Sequence, residues 1–270
     1  MYDYKGKTAL ITGASSGIGK AFAHEIAVRG MNLLLVARSE DKLLRLAEDL
    51  KQNHHIQVEV IVADLSKEES AQEVYDSVSR KQQQVDLLIN NAGIVTHGLF
   101  AEKTLRSQQD EIRLNVYTPV SLSHLFVQDM FRRGHGAIIN VASTGGFQPM
   151  PYRAIYSATK AFMINWSEAV WAEAKEKGVS IVTLCPGPTD TNIYEVMGTH
   201  DSGVGKMVPP EHVVQTGLRA LEKQQMTVID GRSNYWISQA YRFFPRQTLV
   251  NLMYRMFHPK STRHRKKTSL

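Results

Sequence analysis

Short apolar runs alternate with longer stretches of helical periodicity along this chain, and that alternation leaves few folds open. Lys7–Thr12, Met31–Ala37, Val58–Val62, Val85–Asn90, Ala137–Val141, Val179–Leu184 and Thr227–Asp230 read as strands. Gly17–Arg29, Thr104–Arg133 and Tyr156–Lys177 read as helices, the second bent near Pro119. Two more helices are expected, one capped by Ser39 with Glu40 and Asp41 in its first turn, one opened by a Ser66/Glu69 capping box. Strands that are apolar throughout must be buried on both faces, so the helices cross over between parallel neighbours. The expected fold is α/β: a single-domain, Rossmann-type, doubly wound parallel sheet of about seven strands with helices on both faces. Such sheets bind ligands beyond the carboxyl ends of their strands, where the strand order reverses.

A chain of 270 residues with 43% hydrophobic and 21% charged residues suits one soluble domain. Cys185 is its only cysteine, which excludes an intrachain disulfide and fits a reducing compartment. No run of about 18 apolar residues occurs, and the polar stretch from Met1 to Lys7 does not read as a signal peptide. The expected location is cytoplasmic. The ten histidines lack ligand spacing, so no metal is expected.

The net charge of +6 is unevenly spread. Residues 242–270 hold eight Lys/Arg and no Asp/Glu, leaving residues 1–241 with 24 basic and 26 acidic residues. A near-neutral body argues against nucleic acid as a partner. The chain therefore divides into a 1–241 domain and a basic 242–270 extension with a disordered end. In the extension, Leu249, Leu252, Met253, Met256 and Phe257 make one apolar helical face. That face has two readings: packing on its own body or on a dimer partner, or an interfacial membrane helix followed by the basic run Arg263 to Lys267, giving peripheral membrane contact.

Immediately after the first strand comes Thr12-Gly13-Ala14-Ser15-Ser16-Gly17-Ile18-Gly19. Glycines let a backbone turn sharply and approach a pyrophosphate, and the N–H groups of the following helix favour the phosphates. The second strand ends in Ala37-Arg38, where a carboxylate would grip the ribose of NAD. A guanidinium there can pair with a 2′-phosphate, so NADP(H) is expected over NAD(H). The competing reading of Arg38 is a solvated surface charge. Asp64 follows the third strand and Asn90-Asn91-Ala92-Gly93 ends the fourth.

Tyr156 and Lys160 stand four apart on one helix face. A nearby ammonium favours a phenolate, which brings a tyrosine into range as a general acid–base. Ser143 ends the fifth strand, at the same edge of the sheet, and Asn115 lies in the long helical stretch before it. The G-x-x-x-G-x-G spacing, Asn-Asn-Ala-Gly and the Asn115, Ser143, Tyr156, Lys160 set together resemble the short-chain dehydrogenase/reductase family over about residues 5–230. The resemblance implies an oxidoreductase acting on CH–OH and C=O groups with pro-S hydride transfer. It implies Tyr156 as acid–base, Ser143 on the carbonyl, Lys160 on the nicotinamide ribose, and Asn115 holding a water. It also implies cofactor contacts from Gly13, Ser15, Ser16, Gly17, Ile18, Gly19, Arg38, Asp64, Asn91, Ala92 and Gly93. Cys185-Pro186-Gly187-Pro188-Thr189-Asp190-Thr191 resembles the loop packed on the nicotinamide, with Pro186, Gly187, Thr189 and Thr191 as its contacts.

The substrate is expected to be a hydrophobic carbonyl or alcohol, flanked by Thr96, His97, Phe147, Met150 and Tyr152 and covered by a lid within Asp190–Pro209. Cys185 reads as a buried small residue rather than a nucleophile. A homodimer or homotetramer is implied through residues 104–133 and 156–177. The alternative reading is an NADP(H)-binding sensor or scaffold with little or no turnover, since a fold does not fix a function.

Overall fold

The computed structural model describes residues 2–191 and 206–258. Seven parallel strands, β1 (Thr8–Thr12), β2 (Asn32–Ala37), β3 (Val58–Val62), β4 (Leu87–Asn90), β5 (Gly136–Val141), β6 (Val179–Cys185) and β7 (Thr227–Ile229), form one sheet in the order β3-β2-β1-β4-β5-β6-β7. The sheet is doubly wound, as expected. β1 pairs with β2 on one side and with β4 on the other, so the reversal lies beside Thr12 and Asn90.

Period-2 side-chain alternation divides the strands between two cores. Ala9, Ile11, Leu33 and Leu35 face helices α1 (Gly17–Val28) and α2 (Glu40–His54) and the later helix α7 (Pro210–Glu222). Leu10, Leu34, Val36 and Leu88 face α3 (Ser70–Arg80), α5 (Thr118–Arg133) and α6 (Ala154–Lys175). Each such Leu or Ile is essentially fully buried, which stabilises the fold by about 2 kcal/mol per side chain.

Two local expectations give way to other geometry, and a third holds. The stretch expected as one bent helix is α4 (Leu105–Ile112), a π-helical turn (Arg113–Tyr117) and α5. The irregularity directly precedes Pro119, whose missing N–H cannot join the helical ladder that runs on into α5. Ser66 does not cap a helix: α3 starts at Ser70, and the Ser66 hydroxyl donates to Asp64 Oδ1 at 2.8 Å. Ser39 occupies the N-cap of α2 with Glu40 and Asp41 in the first turn, as expected, though its side chain makes no capping bond.

Beyond β7 come α8 (Arg232–Gln239) and α9 (Arg246–Phe257). The apolar seam of α9 turns inward: Leu249, Met253 and Phe257 are buried, while Leu252 and Met256 on the same helix are exposed. Met253 and Phe257 pack with Met150 and Tyr152 of the body. No helix among the described residues is long and apolar enough to cross a membrane. The basic run 263–267 lies outside the described residues.

Candidate active site

The turn after β1 is shaped by its glycines. Gly13 and Gly17 have φ of 67° and 53°, a region that L side chains avoid. At Gly19 a Cβ would run into the carbonyl oxygen of Gly13 and come within 2.6 Å of Asn91 Nδ2. Ser16 is the N-cap of α1, yet its hydroxyl makes no capping bond, so the helix N–H groups stay available to a ligand. The turn is tied to β4 by a residue that sequence reasoning passed over. Thr12 Oγ1 accepts from the N–H groups of Asn91 and Ala92 at 2.9 and 3.0 Å and donates to Ile89 O at 3.2 Å. Asn91 Nδ2 answers by donating to Thr12 O at 2.9 Å.

Arg38 is exposed directly after β2 and lines the same groove as Asp64. Burial alone would raise the Asp64 carboxyl. Two hydrogen bonds from Ser66 and the charges of Arg38 and Lys67 outweigh it and hold the group below the usual carboxylate range.

β5 and α6 bring the chemistry-bearing side chains to the strands' carboxyl edge. Lys160 is buried, and its Nζ donates to Val141 O at 2.8 Å. Burial pushes its pKa down to about 8, while the Glu111 carboxylate acts in the opposite sense. The same amine lies 5.9 Å from the centroid of the Tyr156 ring. Ser143 caps a short 3-10 turn (Thr144–Gly146), and its Oγ accepts from Gly145 N at 3.0 Å. A Cβ on Gly145 would lie 3.3 Å from Tyr156 Cε1 and 3.4 Å from Ser143 Oγ, so the phenol ring and the hydroxyl crowd the same point.

Asn115 sits in the π-helical turn, a conformation often found at functional sites. Its Oδ1 accepts from Ile94 N at 2.9 Å; its Nδ2 donates to Ile94 O at 2.8 Å and to Thr159 Oγ1 at 3.2 Å. Asn115 thus clamps the loop after β4 and lies behind Gly93. One turn earlier, Glu111 is fully buried, with Oε2 accepting from Thr96 Oγ1 at 2.6 Å and Oε1 without a hydrogen-bond partner. Burial raises its pKa against the pull of Thr96 and Lys160. Beneath the site a buried relay crosses the sheet: Asn90 Nδ2 donates to Asn140 Oδ1 at 2.8 Å, and Asn140 Nδ2 donates to Ser167 Oγ at 2.9 Å. Neither Glu111 nor Asn140 carries a local sequence signal, because each acts through side chains distant in the chain.

These elements border one groove of about 520 Å³. Every residue expected from sequence to hold the cofactor or to act in catalysis lines it, except Gly19 and Asn115, which lie behind the wall. In the loop after β6, the methyl of Thr191 stands where a Cβ on Gly17 would come within 3.0 Å, joining this loop to the glycine turn. Gly187 admits Asn234 of α8 so closely that a Cβ would overlap its amide. Cys185 is buried, and burial pushes its thiol up and out of the reactive range.

The substrate end differs from expectation. Of the five flanking residues, only Met150 lines the groove. Thr96 is engaged by Glu111, and Phe147 packs with Ala142, Met163 and Ile164. Tyr152, at φ 66°, stacks on Tyr254 at 5.7 Å and lies 6.2 Å from His97. Arg153, Ile237 and Phe257 take their places in the lining, with the Arg153 guanidinium 5.0 Å from the Phe257 ring centroid. The sequence could not place Phe257 there, since it lies a hundred residues beyond Tyr156. Of the expected lid, Ile193, Tyr194, Val196 and Met197 lie outside the described residues; Val208 packs on the core and pairs with Thr189.

A family model described as short chain dehydrogenase matches residues 7–201. The chain is 32% identical to 17-beta-hydroxysteroid dehydrogenase type 3 of Rattus norvegicus over 198 residues, 72% of this chain and 63% of that protein. It is 33% identical to the inactive hydroxysteroid dehydrogenase-like protein 1 of Homo sapiens over 185 residues, 67% of this chain and 55% of that one. The chain therefore spans under two thirds of both relatives. Among solved structures, it is similar to a short-chain dehydrogenase from Sphingobium yanoikuyae in complex with NADPH, at 31% identity and a TM-score of 0.79 over 90% of this chain and 94% of that one. With its matched span, its parallel sheet and the groove at the strands' carboxyl edge, the chain belongs to the short chain dehydrogenase family of oxidoreductases.

Proposed function

We propose that the chain moves a hydride between NADP(H) and a hydrophobic carbonyl or alcohol, with Tyr156 as general acid–base. The observation that carries this reading is the convergence of Tyr156, Ser143 and Lys160 on one wall of a groove that begins at the glycine turn. The residues present fit a dinucleotide: the Gly13 and Gly17 backbone leaves a cradle that side chains would fill, and open helix N–H groups suit a pyrophosphate. The NADPH-bound neighbour supports a nicotinamide cofactor in this groove. Arg38, with no carboxylate at the end of β2, is the ground for preferring the 2′-phosphate.

A bound NADP(H) would supply or accept the hydride; the protein's own side chains handle the proton and the orientation. In reduction, Ser143 donates a hydrogen bond to the carbonyl oxygen and Tyr156 gives that oxygen its phenolic proton. The Lys160 ammonium stabilises the resulting phenolate and lowers the cost of the transfer. Asn115, by fixing Ile94 and Thr159, keeps the Gly93 and Tyr156 walls in register. Glycine-turn residues Ser15, Ser16 and Ile18 with Asp64, Asn91 and Ala92 would hold the adenosine and pyrophosphate half, and Pro186, Gly187, Thr189 and Thr191 the nicotinamide half.

The substrate end is mainly apolar, which favours a bulky hydrophobic substrate. In this reading residues 1–241 form the catalytic body and 242–270 a basic extension whose helix closes the substrate end through Phe257. A homodimer or homotetramer in the cytoplasm completes the proposal. A second reading, cofactor binding without turnover, draws on the likeness to the inactive human relative. The discriminating experiment follows NADPH oxidation across bulky ketones, aldehydes and acyl carbonyls, beside NADPH binding by fluorescence. Turnover on any of them supports the reductase; binding without turnover in either direction supports the second reading.

A further inference from the structure

We infer that the surface built by α8, the turn after it and the outer face of α9 docks on an anionic lipid bilayer. The segment from Tyr235 to Phe244 places aromatic rings in water to an unusual degree. Trp236 is 68% exposed, Phe243 75% and Phe244 56%, and Tyr235 and Tyr241 are exposed beside them. Isolated exposed apolar residues are ordinary, but five aromatic rings within ten residues of chain mark an interaction surface. On α9 the exposed Leu252, Tyr254 and Met256 extend it.

Charge identifies the occupant. Residues 231–270 contain nine Lys/Arg and no Asp/Glu, and Arg232, Arg242, Arg246 and Arg255 are exposed among the rings. Arg242 Nε donates to its neighbour Tyr241 Oη at 3.2 Å, which pairs a cation with an amphipathic ring. Aromatic rings among arginines suit the interface of a membrane, where rings settle at headgroup depth and cations meet phosphates. A second copy of this chain fits less well: across a two-fold axis these arginines would meet one another, and the segment brings no carboxylate to answer them. Nor is the docking element the inward seam of α9, which is already occupied by Met150 and Tyr152. The docking face borders the mouth of the groove, because Ile237 and Phe257, the chain neighbours of Trp236 and Met256, line that groove.

The test is co-sedimentation of the full chain at low salt with vesicles of phosphatidylcholine alone and with about 30% phosphatidylglycerol added. The anionic vesicles are expected to carry the protein down and the neutral ones to bind roughly tenfold less. Salt near 1 M, which shortens screening to about 3 Å, weakens the attraction. A Trp236→Ser/Phe243→Ser double variant that melts as the parent does is expected to lose about tenfold in binding. Brominated acyl chains give a reading on the unaltered protein, with quenching of tryptophan fluorescence expected. No sedimentation at low salt, absence of quenching, or binding unchanged in the double variant overturns the inference. So does a lipid-free dimer in equilibrium sedimentation that the double variant dissociates, which would assign the face to a second copy.

Discussion

The Lys160 amine hangs from the end of β5, donating to the Val141 carbonyl two residues before Ser143. One strand therefore anchors both the cation and the hydroxyl, while α6 supplies the cation and the phenol. Buried Lys160 has a pKa lowered to about 8, so it is an ammonium below that pH and neutral above it. If Tyr156 relies on that charge, kcat for carbonyl reduction falls as pH rises through about 8. Glu111 pulls the Lys160 pKa upward, so Glu111→Gln lowers it and moves the alkaline limb to lower pH. A pH–rate profile of the two proteins checks this. An unmoved limb would show that Glu111 serves only to hold Thr96.

Arg38 is expected to set the choice of dinucleotide. Charge-assisted hydrogen bonds contribute about 1.5–3 kcal/mol each, so Arg38→Ser should raise the KM for NADPH by about tenfold or more. The KM for NADH should change little. Equal affinity of the unaltered protein for the two cofactors would return Arg38 to a solvated surface charge.

Gly19 is a steric requirement. Gly19→Ala puts a Cβ against the Gly13 carbonyl, which is backbone, and against the Asn91 amide, which its hydrogen bond to Thr12 O holds in place. The expected result is a loss of about 2–3 kcal/mol of stability, read by denaturant unfolding, together with weakened cofactor binding. A neutral substitution would mean that the turn is looser than its contacts imply.

The parallel sheet was legible because two-sided burial leaves a simple trace, an unbroken apolar run. The glycine turn was legible for a related reason: Gly13, Gly17 and Gly19 serve local backbone geometry, and local needs appear as local spacing. Tyr156 and Lys160 were readable as one helical turn. The substrate end was not, since Arg153 and Phe257 meet only through tertiary packing, and nothing near Tyr156 announces α9. Ser66 was misread because a hydroxyl followed three residues on by Glu also suits a turn, where Asp64 captured it. Asn115 was placed in a helix, but no local pattern marks the π-helical turn that directs it at Ile94.

α9 should matter to both stability and substrate. Phe257 is 4% exposed, covers Arg153 and lines the groove. Phe257→Ala is expected to cost about 3 kcal/mol and to raise the KM for a bulky ketone more than it lowers kcat. Thermal melting and steady-state kinetics read the two effects. A variant with lower stability and unchanged KM would make α9 a purely structural brace.

The most direct measurement is turnover of Tyr156→Phe beside the unaltered protein on the best carbonyl substrate, with NADPH binding measured on both. A loss of about 10²–10⁴-fold in kcat with NADPH affinity retained is expected, because only the proton donor has gone. Turnover within a few fold of the parent would contradict the assignment of Tyr156 as the acid–base.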